Sequence, residues 1–193
     1  LKVKRADTSS LERSSGRGVS RLKFGVNWEP YEVERSEGPW RVGIWSTVQD
    51  EGLRDELVNK TAGTHLSVHV LNSVREAKVL GLDTVFCLWP QSEEVLADTE
   101  EASRVGLEQL QWLIGDWDGR LVWITSDSVS VGTDDKIAGL GASVLWGLGR
   151  TATSENPDLD LTLVDILRDE LDEKNVGLVL SALDEPELAL RSG

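Results

Sequence analysis

From residue 22 onward the chain alternates short apolar runs with longer amphipathic segments. Leu22 to Trp28 alternates apolar and polar positions with period two and stops before Pro30, which predicts a strand. Arg41 to Trp45 predicts a second. Asp50 to Lys60 places Leu53, Leu57 and Val58 on one side, as an amphipathic helix does. Leu66, Val68 and Val70 alternate as a third strand. Asn72 is placed to cap a helix that reaches Leu80 and stops at Gly81. Asp83 to Trp89 is a continuous apolar run closed by Pro90, the pattern of a parallel strand covered on both faces. A long helix is expected from Ser92 to about Ile114, a buried strand over Leu121 to Thr125, and a glycine-interrupted helix over Lys136 to Ser154. Leu159 to Ile166, Asp169 to Leu183 and Pro186 to Leu190 complete the series as strand, helix and short strand. Repeated strand–helix units with short connections predict an α/β fold: a truncated Rossmann-like, mostly parallel, doubly wound sheet flanked by helices.

The beginning of the chain reads differently. Residues 1–24 hold seven Lys and Arg against two acids, and Asp7 to Ser20 is rich in Ser, Arg and Gly with little apolar content. Residues 1–21 are therefore expected to be a flexible basic linker, dispensable for folding, with 22–193 as the folded unit. Over the whole 193 residues the formal net charge is −14, so the body from residue 25 onward carries −19. A surface that acidic repels phosphate backbones, which excludes a general role on nucleic acid or anionic membrane. No run approaches the ~20 apolar residues that a membrane-spanning helix needs. One cysteine excludes an internal disulfide framework and fits a reducing cytosol. The chain starts at Leu1 and contains no Met, and reads as a piece of a longer polypeptide.

A doubly wound sheet raises the question of a dinucleotide. Its phosphates need glycines in the turn between a strand and a helix N-terminus. After the strand ending at Trp45 the chain offers one glycine, Gly52, and two carboxylates, Asp50 and Glu51. Gly147-Leu148-Gly149 follows a helix-like run, so these glycines read as helix-packing positions. Short-chain reductases need a Tyr to protonate the substrate oxygen, a Lys four residues later and a Ser. The only tyrosine is Tyr31, followed four residues on by Arg35 and set beside a strand. Ser126 and Ser128 follow a strand at a suitable place, but Lys136 to Leu145 contains no Tyr.

No metal, catalytic or cofactor-binding residue is assigned. His65 and His69, the two histidines, lie about 13 Å apart on a strand, too far for one ion, and read as a polar strand face. Cys87, between Phe86 and Leu88, reads as a small core residue. Asp116/Asp118 and Asp134/Asp135 read as solvated loop or helix-start carboxylates. Of eight tryptophans, Trp89, Trp112, Trp123 and Trp146 fall in core-like runs. Trp28, Tyr31 and Trp40 are packing residues or, in a sharper reading, one face toward a neighbouring domain.

The succession Trp146-Gly147-Leu148-Gly149-Arg150, then 151–166 ending in Leu163-Val164-Asp165-Ile166, then Glu185-Pro186-Glu187-Leu188-Ala189-Leu190-Arg191, resembles modular polyketide synthases. Trp28-Glu29-Pro30 and Leu121 to Ser126 match further elements, and Asn156 stands where the family often has His. The part resembled is the structural, non-catalytic half of the ketoreductase region. In that family this half is a truncated Rossmann-like unit that binds no cofactor and braces a second half carrying NADPH and the Ser-Tyr-Lys chemistry. The resemblance implies a cytoplasmic pseudo-ketoreductase domain, not an enzyme by itself. It implies neighbouring synthase domains as partners: a catalytic ketoreductase half, a methyltransferase, a dehydratase or an enoylreductase, with an acyl carrier protein a further candidate. The alternative it leaves open is one half of an active NADPH-dependent ketoreductase whose catalytic half lies outside the chain.

Overall fold

The structure is a computed structural model and describes residues 2–7, 27–34, 40–46, 55, 58–59, 66–89, 94–132, 135–167, 170 and 173–191. Its centre is one eight-stranded sheet. The strands are β1 (Lys2–Asp7), β2 (Asn27–Tyr31), β3 (Trp40–Ser46), β4 (Leu66–Val70), β5 (Thr84–Trp89), β6 (Arg120–Thr125), β7 (Leu161–Ile166) and β8 (Glu187–Arg191). They lie in the order β2-β1-β8-β7-β6-β5-β3-β4. From β4 to β8 every pairing is parallel, and β1 is antiparallel to both β8 and β2. The parallel part reverses its winding once, between β3 and β5, as a doubly wound sheet does.

The helices are α1 (Glu76–Leu80), α2 (Val95–Asp116), α3 (Val144–Glu155) and α4 (Glu173–Ser181). One face of the sheet packs its Val85, Cys87, Trp89, Leu121, Trp123 and Leu163 against α1, α2 and α3. The opposite face packs Phe86, Leu88, Val122, Ile124, Val164 and Leu188 against Val176, Val179 and Leu180 of α4. All six positions of β7 are buried, which is why 161–166 reads as an unbroken apolar strand. Small residues let the layers meet. A Cβ on Gly106 of α2 would stand 2.8 Å from Leu145, and one on Gly43 of β3 would stand 2.6 Å from Leu71.

Several boundaries differ from the sequence pattern. β2 continues through Pro30 because it is the outer strand, where a missing N–H costs no ladder bond. Asn72 is not a helix cap: its backbone N–H donates to Glu76 Oε2 at 3.3 Å, and α1 starts only after Arg75. Gly81 ends α1 in the left-handed conformation, φ 61°. Lys136 to Gly139 is not helical; Leu140–Ser143 is a 3₁₀ turn and α3 proper begins at Val144. Asp116 ends α2 instead of starting a helix. The expected helix over 50–60 lies outside the described residues, apart from Asp55, Val58 and Asn59, which are helical.

The larger correction concerns the amino terminus. Lys2–Asp7, expected in the linker, forms β1 inside the sheet, bonded to β2 on one side and β8 on the other. A strand of such low apolar content is ordered by backbone pairing on both edges. Arg5 adds a bond to Glu185 at 3.0 Å and lies 5.6 Å from the Tyr31 ring centroid. The rest of the expected linker, residues 8–21, lies outside the described residues. Removing residues 1–7 strips β8 and β2 of their shared partner. The truncated chain is expected to melt several degrees lower, by about the 4–8 °C per kcal/mol typical of small domains or somewhat less at this size. Unchanged thermal melting by circular dichroism would return this segment to the status of a linker.

Candidate functional site at the carboxyl edge of the sheet

Doubly wound sheets bind ligands where the winding reverses, at the carboxyl ends of the strands. Here that point lies beside Trp45–Ser46 of β3 and Trp89 of β5. A groove of about 500 Å³ runs next to it, between the first residues after β4 and the helix α2. Its walls include Trp45, Arg75, Gln109 and an ion-paired set in which Arg104 bridges Glu101 and Glu108. Indoles fill the crevice: Trp45 meets Trp89 edge-on at 5.5 Å, and Trp89 meets Trp123 edge-on at 6.3 Å. Trp123 Nε1 donates to Gln109 Oε1 at 2.7 Å, under α2. Asp50, Glu51 and Gly52, the residues weighed for a phosphate loop, lie outside the described residues.

The second place to look is the end of β6, where Ser126 and Ser128 stand. Both are buried, at 7% and 2% exposure. The Ser128 hydroxyl donates to the Ser126 carbonyl at 3.1 Å, and its backbone N–H donates to Asp165 Oδ1 at 2.9 Å. The Thr125 hydroxyl donates to the same Asp165 oxygen at 2.6 Å and accepts from Trp146 Nε1 at 3.0 Å. Arg191 Nη2 reaches Asp165 Oδ2 at 2.5 Å, and the same guanidinium donates to the Asp165 and Val129 carbonyls. Burial pushes the Asp165 carboxyl above its ordinary range, against the opposite pull of Thr125, the Ser128 N–H and Arg191. The loop that follows is tied in as well. Asp135 accepts from the backbone N–H groups of Val131 and Gly132 and sits 3.5 Å from Arg191 Nε. Burial works against its ionisation, but these partners prevail and hold its carboxyl below the usual range.

The remaining candidates are spread over other parts of the fold. Gly147 and Gly149 lie inside α3, not in a strand-to-helix turn. Gly149 is a packing position: a Cβ there would stand 2.7 Å from Leu163 Cδ2. Gly147 departs from the expectation, because it is exposed and a Cβ would meet nothing within 4 Å. Arg150, next in the motif, makes a two-pronged bond to Glu187 at 2.8 and 2.7 Å and lies 5.5 Å from the Trp146 ring centroid. Cys87 is fully buried, and burial pushes its thiol well above the ordinary range. His69 is half-buried, not part of an exposed face, and its Nε2 is buried without a hydrogen-bond partner; His65 lies outside the described residues. Tyr31 stands on the outer strand, its hydroxyl 3.2 Å from Asp184. Trp28 packs on Trp146 across one face of the sheet, whereas Tyr31 and Trp40 join the other core, so the three do not form one surface. Among the described residues no group of three or more His, Cys, Asp or Glu could hold a metal, and no helix is long and apolar enough to cross a membrane.

Residues 26–193 match the family described as the Rossmann fold domain of the polyketide synthase extender module SpnB. The chain belongs to this family. Polyketide synthase GfsA of Streptomyces halstedii is 42% identical over 93% of this chain. The PKS-NRPS hybrid synthetase acdB of Aspergillus candidus is 30% identical over 98%. This chain spans only 2% and 8% of those relatives' lengths. The fold is that of A-type ketoreductases from a modular polyketide synthase, with a TM-score of 0.60 at 15% identity, covering all of this chain and 41% of that one. A C2-type ketoreductase from a modular polyketide synthase gives 0.57 at 18% identity, over 83% of this chain and 40% of that one. The chain is thus a polyketide synthase Rossmann unit of the SpnB family, with the fold seen in ketoreductases.

Two stability measurements check this reading of the motif residues. Gly149→Ala is expected to cost about 1–3 kcal/mol through overpacking against Leu163. Gly147→Ala is expected to be neutral or stabilising by up to about 1 kcal/mol, as in any exposed helix interior. Equal losses in urea unfolding would contradict the assignment. Arg191→Met leaves the Asp165 carboxylate buried without its cation, a change that typically costs about 3–5 kcal/mol. Pairing it with Asp165→Leu should recover much of that loss. A fully stable Arg191→Met protein would show that the pair is incidental.

Proposed function

We propose that this SpnB-type Rossmann unit is a non-catalytic structural domain, a pseudo-ketoreductase, that braces neighbouring catalytic domains of a polyketide synthase. The observation that carries the reading is the buried network around Asp165. The Thr125 and Ser128 hydroxyls at the end of β6 are spent on internal bonds, to Asp165 and to the Ser126 carbonyl, and Arg191 holds the far oxygen of Asp165. A serine that must orient a ketone needs its hydroxyl open to the substrate, and Ser126 and Ser128 are both buried. The crevice at the winding reversal supports the same reading, since Trp45 and Trp89 occupy it. On this reading the unit itself holds no NADPH and performs no hydride transfer. Its partners are the adjoining synthase domains: a catalytic ketoreductase half, a methyltransferase, a dehydratase or an enoylreductase, and an acyl carrier protein in passing. The cytosol is its setting, for which the single, fully buried Cys87 is the support.

A second reading has its own support. Ketoreductase chains of similar fold extend well beyond the 40–41% that this fold matches. The unit would then be the structural half of an active NADPH-dependent ketoreductase whose catalytic half follows. The sequence beyond residue 193 decides between them. A glycine-rich strand–turn–helix and a later Tyr-x-x-x-Lys mark the complete enzyme.

The direct test is titration with NADPH, followed by nicotinamide fluorescence, and an assay on a simple ketone such as decalone. Neither binding nor turnover is expected. The result should hold even after Gly139→Tyr with Ser143→Lys. These changes restore the Tyr–Lys spacing but not a shared helical face, because Gly139 precedes the 3₁₀ turn and Ser143 ends it. Turnover by either protein would establish a cofactor site and end the structural reading.

A further inference from the structure

We draw no further inference here: the strongest candidate, the groove of about 500 Å³ between the first residues after β4 and the helix α2, carries nothing because Glu101, Arg104 and Glu108 on its wall are paired with one another and its buried polar side chain, Gln109, turns its amide to Trp123 and the Cys87 thiol.

Discussion

The structure hangs on one buried charge pair. Asp165 has no exposed surface and sits near the end of β7; Arg191 ends β8. Placing a carboxylate there is costly unless every lone pair is used. Here Thr125, the Ser128 N–H and Arg191 use them, and the same guanidinium takes the Val129 carbonyl. Three strands, the loop after β6 and the indole of Trp146 are thereby fixed relative to one another. Removing any member leaves a neighbour unsatisfied, so the network holds together as a unit.

That arrangement explains why the sequence block from Trp146 to Arg191 hangs together as a signature. Its charged letters are partners: Arg150 with Glu187, and Asp165 with Arg191. Its small letter Gly149 is the clearance that lets α3 settle on Leu163. A signature in an enzyme usually marks residues aimed at a substrate. This one marks residues aimed at each other, and the distinction is visible only when the bonds are.

Much of the fold was legible in the pattern, and the failures share a cause. β5, β6 and β7 are apolar on both faces because both faces are covered, and any reading of hydrophobicity finds them. β1 was invisible because its order comes from pairing with β2 and β8, contacts distant in sequence, and Lys2–Asp7 contains only Val3 and Ala6 as apolar residues. The helix expected over 136–154 begins only at Val144, because glycine-rich apolar sequence is compatible with a tight turn as well as a helix. What decides is the Gly139 N–H bonding back to the Asp127 carbonyl at 2.9 Å. Around the site, the positions of Ser126 and Ser128 were legible, whereas their burial was not. Burial is a property of Asp165 and Arg191, which lie some forty and sixty residues downstream.

The same reasoning separates the two glycines that look alike in the sequence. Gly149 and Gly147 both sit in α3, two positions apart, and a helix turns about 200° between them. One therefore faces the sheet and the other faces solvent. Facing the sheet, glycine is required by Leu163, a reason internal to the unit. Facing solvent, glycine weakens the helix, and among the described residues no atom stands within 4 Å of a Cβ there. The two glycines thus share a letter and not a reason: one is a clearance that the sheet demands, the other an exposed helix position whose replacement by alanine removes only a conformational cost.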